Sequence, residues 1–498
     1  MSWKHIWQLA SSDYLKLVLI LALAFYVAFI PHQGYSYPVH VDEWVHLTYS
    51  EAMLQAGDTG FLDPFWGQTA ASISSNLEAG FHLFWGIFHQ ISGISWLTIY
   101  RYFPSVIFMI TVLSAYVLGR RQGFGWEAAF FTALMPTTVG VLGPGFMVPV
   151  AMGLLFIPLA LFLIFNFRSV WSYVVLFIFT SFLLSIHAPS AICVVIVLAP
   201  YLILTLKDDF KHSLFAGLAM IIPFLAPFPW IFKLLLPTAQ ALFTPQPFPM
   251  YIDFPRVVQT YGYLPIAFCL LGTLFLALKV RGEEGDDGLI KENYGLILGF
   301  LALLVMLMTF FTFHYGISIM YERGLMFMML MVGVVAGAGL ALVKNLSLPA
   351  RLTGWVKLPV IAQSVGKFLC LAFIGLTLFF AIPDRQETPY YRMIEDEDYQ
   401  AFVWVRDNLG ENYGKAILDP WKATAFTAIT GKNIYTRSHA FPMPIDEEAA
   451  LFLDEGCTDT AFLKENGISI IYNQVECQNP DLFEVRENIY ILEESTSP

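Results

Sequence analysis

Long apolar stretches separated by short polar segments dominate the first 382 residues of the chain. A helix needs about 20 mostly apolar residues to cross the hydrocarbon core, because lipid cannot satisfy free backbone groups. The pattern therefore predicts a mostly α, polytopic membrane bundle. Its eleven predicted spans are Tyr14–Ile30, Leu97–Leu118, Trp126–Leu142, Phe146–Asn166, Val170–His187, Ser190–Leu206, Ser213–Leu236, Gly262–Lys279, Tyr294–Phe313, Gly324–Val343 and Leu358–Ala381.

The remaining 116 residues alternate between helical and strand patterns. Residues Asp396–Leu409 and Trp421–Thr430 have helical periodicity, and three short β-rich runs indicate strands. Those runs are Ala416–Leu418, Ile468–Tyr472 and Ile489–Leu492. We therefore expect a membrane domain over residues 1–382 and a small soluble α/β domain over residues 383–498.

Composition and charge support this division. The chain is 57% hydrophobic and 13% charged, whereas a soluble protein carries about 25% charged residues. Residues 383–498 hold 22 acids and 9 bases, against 17 acids and 18 bases in residues 1–382. The net charge of −12 therefore belongs to the tail, and no region is basic enough to suggest nucleic acid as a partner.

Lysine and arginine are retained in cytoplasmic loops, so their distribution predicts the orientation. With the N-terminus in the cytoplasm, the cytoplasmic segments hold thirteen basic residues and the opposite segments of the membrane domain hold four. This bias predicts a multi-pass protein of the cell membrane with an extracytoplasmic C-terminal domain. Cys457 and Cys477 both lie in that domain, where a disulfide would persist, although spacing alone does not establish their proximity.

Two external segments are long. Residues 31–96 contain six acids and no Lys or Arg. This segment contains two half-apolar stretches that predict helices lying in the membrane interface, Glu43–Gln55 and Leu77–Ile91. The other segment, Pro237–Tyr261, is rich in proline and aromatic residues and predicts a loop.

The first external segment carries the candidate catalytic residues. Asp42 and Glu43 are adjacent carboxylates a few residues beyond the first span. A carboxylate at a water interface can stay ionised while partly desolvated, which suits a general base or a cation ligand. If this segment is helical, His46 lies one turn on from Asp42, on the same face. The alternative is an ordinary acidic loop on the non-cytoplasmic side.

Histidines are concentrated on the external side of the predicted membrane domain. Seven of the ten map there, which indicates polar chemistry on that side. A paired His-x-x-x-His is absent, so the sequence assigns no metal ligands and leaves a divalent cation open as a cofactor. The seven are His32, His40, His46, His82, His89, His187 and His314.

Arg323 begins the tenth span at its external end, directly after Glu322. A guanidinium is always charged and binds phosphate through two parallel hydrogen bonds, so Arg323 suits an anionic lipid phosphate. The alternatives are an ion pair with Glu322 or an anchor that extends to the interface.

Several common motifs are missing from the sequence. It has no Gly-x-x-x-x-Gly-Lys-Ser/Thr loop, no His-Glu-x-x-His and no Gly-x-Ser-x-Gly. Nucleotide-driven pumping and zinc proteolysis of the usual type therefore lose support. A transporter remains an alternative, although no internal repeat of the kind that many transporters carry is visible.

The layout resembles the GT-C superfamily of integral-membrane glycosyltransferases, and within it the protein mannosyltransferase and aminoarabinose transferase type. Tyr37-Pro38 followed by Asp42-Glu43 is similar to the acidic motif after the first span of that superfamily. The stretch Ala79–Gly93 is similar to its interfacial helix, and Glu322-Arg323 resembles its donor-phosphate region.

The resemblance implies transfer of one sugar from a polyprenyl-phosphate donor to an acceptor glycan, lipid or protein on the external face. It implies that Asp42 is the general base, that Glu43 supports it, and that Arg323 with Glu322 binds the donor phosphate. Glu78, His82, His187 and His46 are then candidate substrate contacts.

The sequence departs from the oligosaccharyltransferase branch. That branch has Trp-Trp-Asp-Tyr-Gly in the tail, where this chain has Trp404-Val405-Arg406-Asp407-Asn408. The loop at Gly143-Pro144-Gly145 also lacks the second acidic motif. A monosaccharide transferase is therefore favoured over en bloc transfer, with a lipid-linked saccharide or solute transporter as the competing class.

Overall fold

The fold is described from a computed structural model of the chain. The structure describes residues 12–67, 78–138, 142–226, 254–282, 287–314, 318–347, 359–388, 390–410, 412–438 and 443–492.

The described residues form nineteen α-helices and five short strands. The helices are α1 (Asp13–Phe29), α2 (Val41–Ala56), α3 (Ala79–Ser92), α4 (Trp96–Arg121), α5 (Gly125–Ala133), α6 (Pro149–Leu154), α7 (Phe156–Asn166), α8 (Val170–Ile186), α9 (Ala188–Thr205), α10 (Phe210–Leu225), α11 (Phe254–Tyr261), α12 (Tyr263–Gly282), α13 (Asp287–Phe313), α14 (Ser318–Lys344), α15 (Pro359–Glu387), α16 (Asp396–Asn408), α17 (Ala423–Thr430), α18 (Pro444–Asp454) and α19 (Thr460–Glu465). The strands are β1 (Lys415–Ile417), β2 (Asn433–Ile434), β3 (Ile470–Tyr472), β4 (Leu482–Arg486) and β5 (Ile489–Leu492).

The chain divides into two compact units. The membrane unit comprises Met1–Pro31 and Tyr102–Thr388, and the loop–tail unit comprises His32–Arg101 and Pro389–Pro498. The first external segment thus belongs to the same unit as the tail. The domain boundary at residue 383 stays a prediction.

Seven helical segments in the described part of the chain are long and apolar enough to cross a membrane. Three shorter apolar helices, α8, α10 and the first part of α12, coincide with further predicted spans. The segments that meet both criteria are Asp13–His32, Trp96–Arg121, Pro149–Asn166, Ala188–Thr205, Leu289–Phe313, Arg323–Lys344 and Ser364–Glu387. The predicted polytopic helical fold is therefore confirmed.

Two local predictions differ from the structure. The span predicted at Trp126–Leu142 contains α5, which has only nine residues and rises about 14 Å. Pro136 lies just beyond its end, and the residue before a proline disfavours helical geometry. In the loop predicted at Pro237–Tyr261, the last eight residues form α11; residues 237–253 lie outside the described part.

Helix α14 is the central element of the membrane unit, and 94% of its most apolar 18-residue stretch is buried. It packs against α5, α12, α13 and α15. Small residues permit this close approach: a Cβ at Gly339 would overlap the carbonyl oxygen of Phe268, and one at Gly272 would overlap that of Val335. In lipid the hydrophobic effect does not drive helices together, because the acyl chains are as apolar as the helix surfaces. Close packing at small residues therefore stabilises their association.

The tail contains a five-stranded sheet in the order β2-β1-β3-β5-β4. Strand β1 is parallel to β2 and β3, whereas β5 is antiparallel to β3 and β4. The predicted α/β character and all three predicted strands are confirmed. A disulfide joins Cys457 to Cys477, and Cys457 lies in the core with Phe452, Leu463 and Ile471.

The loop–tail unit is held together by contacts between residues far apart in sequence. The hydroxyl of Tyr35 donates to the carbonyl oxygen of Ile394 at 2.8 Å, and that of Tyr37 donates to Asp396 Oδ1 at 2.8 Å. The amide of Ile434 donates to the carbonyl oxygen of Phe65 at 3.0 Å. Helix α2 packs on α3 and on α17 of the tail, so the tail forms part of the support for α2.

Candidate active site

The candidate active site is built around the N-terminus of α2. His40 is the N-cap residue, and its Nδ1 accepts a hydrogen bond from the Asp42 amide at 3.1 Å. Glu43 Oε2 accepts from the amides of Val39 at 2.6 Å and His40 at 3.2 Å. This capping box satisfies amides that a helix end leaves without partners. The sequence predicted a helix here, and the cap explains why it begins at Val41.

The two adjacent carboxylates have different environments. The Asp42 side chain is 33% exposed, and its Oδ2 lies 3.8 Å from His40 Nδ1. Glu43 is fully buried, and its carboxylate binds backbone amides rather than facing water. In this arrangement Asp42 can exchange a proton with a molecule from solvent. Glu43 fixes the turn that presents Asp42.

His46, Glu78 and His82 form a cluster beside this turn. His46 Nδ1 lies 3.0 Å from His82 Nε2 and 3.9 Å from Glu78 Oε2. One ligand atom from each residue lies within 4.8 Å of the other two. Glu78 and His82 are four residues apart at the start of α3, so they share a face, and His46 comes from α2.

The chemistry of the cluster fits a cation. Burial, and then the nearby His46, hold the pKa of His82 well below its ordinary value, so its ring is neutral near pH 7. His82 Nδ1 is buried without a hydrogen-bond partner among the described residues. Two imidazole nitrogens and one carboxylate oxygen are donors that zinc accepts, and a fourth position would remain for water or substrate. The three side chains therefore form a candidate metal site.

The sequence did not predict this cluster, because its two histidines are 36 residues apart and lie on different helices. The donors come from two helices, and only their packing brings His46 to His82. A Glu-x-x-x-His pair at Glu78 and His82 was the signal available in the sequence.

Two further residues near the cluster were not predicted. The Tyr49 ring meets the His82 ring edge-on at a centroid distance of 5.6 Å. Arg437 of the tail lies over the Phe65 ring at 4.0 Å, and its Nη2 is 3.5 Å from the Tyr49 hydroxyl. Tyr49 could have been found, because it lies three residues beyond His46 on the same helix. Arg437 could not, because only the tertiary fold brings it to α2.

Comparison with known proteins identifies the architecture. No sequence profile of a protein family matches the chain, and no curated protein matches it in sequence. The apo oligosaccharyltransferase of Archaeoglobus fulgidus matches in structure with a TM-score of 0.60 and 11% identity, over 92% of this chain and 69% of that one. The same enzyme in complex with Zn and sulfate matches with a TM-score of 0.60 and 12% identity, over 92% and 68%. The mycobacterial arabinofuranosyltransferase AftD matches with a TM-score of 0.57 and 14% identity, over 96% of this chain and 40% of that one.

The chain has the GT-C fold. Identities of 11–14% show the fold alone, so the site must be argued from this chain's own residues. Asp42 and Glu43 lie in the first turn of α2, and their roles stay predictions. His46, Glu78 and His82, predicted as separate substrate contacts, form one cluster.

The other predicted site residues belong to the membrane unit of the GT-C fold. Arg323 is partly buried in the first turns of α14, and the side chain of Glu322 lies outside the described part. His187 is buried between α8 and α9, where its Nδ1 lies 2.6 Å from Ser190 Oγ. That contact links the residue at the junction of the two helices to the first turn of α9. Its contact with substrate stays a prediction.

We expect Glu43→Ala to loosen the turn that presents Asp42. The Val39 and His40 amides would lose their acceptor, at a cost of about 1–2 kcal/mol. Hydrogen–deuterium exchange should accelerate in residues 39–44. Glu43→Gln, which keeps an acceptor oxygen, is the control and should retain most of the protection. Equal protection in wild type and Glu43→Ala would contradict the capping role.

Proposed function

We propose that this protein is a membrane glycosyltransferase that transfers one sugar from a polyprenyl-phosphate donor to an acceptor hydroxyl at the external face of the membrane. The observation that carries the proposal is the position of Asp42. It is a partly exposed carboxylate held by a capping box beside a cluster of two buried histidines and a partly exposed glutamate, in a chain with the GT-C fold. Solved proteins with this fold include an oligosaccharyltransferase and an arabinofuranosyltransferase.

In the proposed reaction, Asp42 accepts the proton of the acceptor hydroxyl as the new glycosidic bond forms. The acceptor oxygen attacks the anomeric carbon from the face opposite the phosphate, which inverts the configuration. The bond from that carbon to the phosphate oxygen breaks, and its electron pair leaves with polyprenyl phosphate. A positioned base of this kind contributes roughly 10²–10⁴ to the rate.

Arg323, next to Glu322, is proposed to bind the donor phosphate. Its guanidinium would stabilise the negative charge that the phosphate gains as it departs. Because phosphate leaves as a weak base, this leaving group needs no separate acid. Lys at this position would keep the charge but lose the bidentate geometry.

We further propose that His46, Glu78 and His82 hold a first-row divalent cation, of which zinc suits the donors best. The oligosaccharyltransferase of A. fulgidus, which shares the fold, has been solved in complex with Zn and sulfate. A bound cation would supply positive charge near the reacting groups. His46 would place the cation near the proposed base, because it lies one turn of α2 beyond Asp42.

The external location rests on the charge bias and on the tail. Thirteen basic residues against four predict that the first external segment and the tail lie outside the cytoplasm. The Cys457–Cys477 disulfide supports this side, because structural disulfides persist in oxidising compartments. The acceptor would then be an envelope glycan, lipid or protein.

We expect Asp42→Asn to lower sugar transfer by at least about 100-fold, because the amide cannot accept the proton. Mass spectrometry of polyprenyl lipids that co-purify with the protein would identify the donor for the assay in proteoliposomes. Asp58→Asn, which changes an exposed acid of the same loop, is the matched control and should transfer normally. Full activity of Asp42→Asn would exclude Asp42 as the base. Donor crossing the bilayer without any transfer would favour the transporter class.

We expect Arg323→Ala to raise the KM for the donor by roughly 10-fold or more, with little effect on the KM for the acceptor. Arg323→Lys should recover part of the donor affinity, because it keeps the charge. Steady-state kinetics with each substrate varied in turn would measure the difference. Equal changes in both KM values would remove the proposed role of Arg323 at the phosphate.

We expect the purified chain, stripped with chelator and reloaded with Zn²⁺, to retain about one ion per molecule. Elemental analysis would measure the stoichiometry, and visible absorption of the Co²⁺ form would report the donors. His46→Ala and His82→Ala should each lose the ion, because two ligands rarely hold it tightly. His89→Ala, which removes a histidine of α3 outside the cluster, should keep it. Loss in all three variants, or retention in all three, would exclude this site.

A further inference from the structure

The tail contains a groove that the proposed transfer reaction does not use. Its volume is about 290 Å³, near the lower end of the range for small-ligand sites. Residues that follow β1 and β3, together with the end of α18, line it. We propose that this groove binds one neutral sugar residue of a glycan. The choice of a glycan among neutral ligands rests on the proposed function.

The position of the groove in the sheet is one where ligand sites form. After β1 the chain passes through α17 to β2 on one side, whereas after β3 it continues to β4 and β5 on the other side. Strands β1 and β3 are parallel neighbours, so their carboxyl ends lie at the same edge of the sheet, and the segments that follow them lead away in opposite directions. Ligands of open α/β sheets bind at such a switch point. Asp419 and Lys422 follow β1, and Gln474 follows β3.

A buried carboxylate organises the polar lining of the groove. Asp398 of α16 is fully buried and accepts hydrogen bonds from Lys422 Nζ at 2.7 and 2.9 Å. Its Oδ1 also accepts from the Tyr472 hydroxyl at 2.6 Å, and Gln474 Nε2 lies 3.5 Å away. Burial and the Asp398 charge raise the pKa of Tyr472, so its hydroxyl stays protonated. Three lining side chains are therefore held in place before any ligand arrives.

The charges and hydrogen-bonding groups that line the groove determine which class of ligand it can bind. Asp398 balances Lys422, while Asp419 and Asp454 add negative charge, so an anion such as a phosphate or a uronate is disfavoured. Lys422 and Gln474 offer donors beside carboxylate acceptors, which suits hydroxyl groups that both donate and accept.

An ammonium ligand is less well matched, because it offers no acceptor to Lys422. On the other wall of the groove, Leu453 and Val475 are apolar and match the C–H face of a sugar ring. These features together favour a neutral sugar over an anion or an amine.

The test uses the full-length protein in lipid nanodiscs with methyl glycosides of glucose, galactose, mannose and arabinose as probes. Saturation-transfer NMR should detect binding of at least one of them to the wild type. Val475→Trp, which fills the groove at a position 55% exposed, should weaken that binding at least 10-fold, and Gln474→Ala should also weaken it. The matched control is Val485→Trp on strand β4, at a position 36% exposed, which should bind as the wild type does.

Absence of binding by all four glycosides, or unchanged binding in Val475→Trp, would overturn the inference. Stronger binding of methyl glucuronide or glucose phosphate would overturn the choice of a neutral ligand. Transfer from the polyprenyl donor to a short acceptor, measured in parallel, separates the two proposals. Glycoside binding in the groove without any sugar transfer would support this inference and contradict the proposed function. Sugar transfer without glycoside binding in the groove would support the proposed function and contradict this inference.

Discussion

Hydrogen bonds from Tyr35 to Ile394 and from Tyr37 to Asp396, at the start of α16, tie the first external segment to the tail. The Tyr35 hydroxyl donates to the carbonyl oxygen of Ile394 and accepts from the Ile394 amide, across 359 residues of sequence. Burial raises the pKa of Tyr35, so the phenol remains a donor. Polar groups buried in this way are costly when they lose their partners. The turn at Val39 and the start of α2 follow directly, so the position of Asp42 depends on this attachment.

The sequence predicted most of the helical architecture, because the hydrocarbon core imposes a length and a composition on every span. Helices α2 and α3 also form where the sequence predicted helices, because the apolar residues of both segments are interspersed with polar ones. The tail strands β3 and β5 were predicted from their β-branched residues. Helix α5 is shorter than the span predicted at Trp126–Leu142, because hydropathy alone does not register Pro136.

What the sequence could not supply are contacts that depend on packing between distant elements. Strand β2 has only two residues, and β4 is an edge strand whose side chains are mostly exposed, so neither shows a hydrophobic alternation that a sequence pattern could detect. The pairing of Cys457 with Cys477 needed the fold to bring both to one place. The same applies to His46 with His82, which joins two helices, and to Arg437 with Tyr49, which joins the segment after β2 to α2.

Near the N-terminus of α2, the proposed proton acceptor and the proposed cation ligands differ in how deeply they are buried. In the proposed reaction the proton acceptor must reach the acceptor hydroxyl, and Asp42 keeps a third of its side chain exposed. Cation ligands work best when water is excluded, and His82 is almost fully buried. Burying a charged carboxylate there would carry a desolvation penalty, and Glu43 offsets it by accepting two backbone hydrogen bonds. His46 and His82 avoid that penalty when their rings are neutral. In the proposed site the carboxylates Asp42 and Glu78 therefore each keep a third of the side chain exposed, whereas the two imidazoles, which need no charge to bind a cation, are buried.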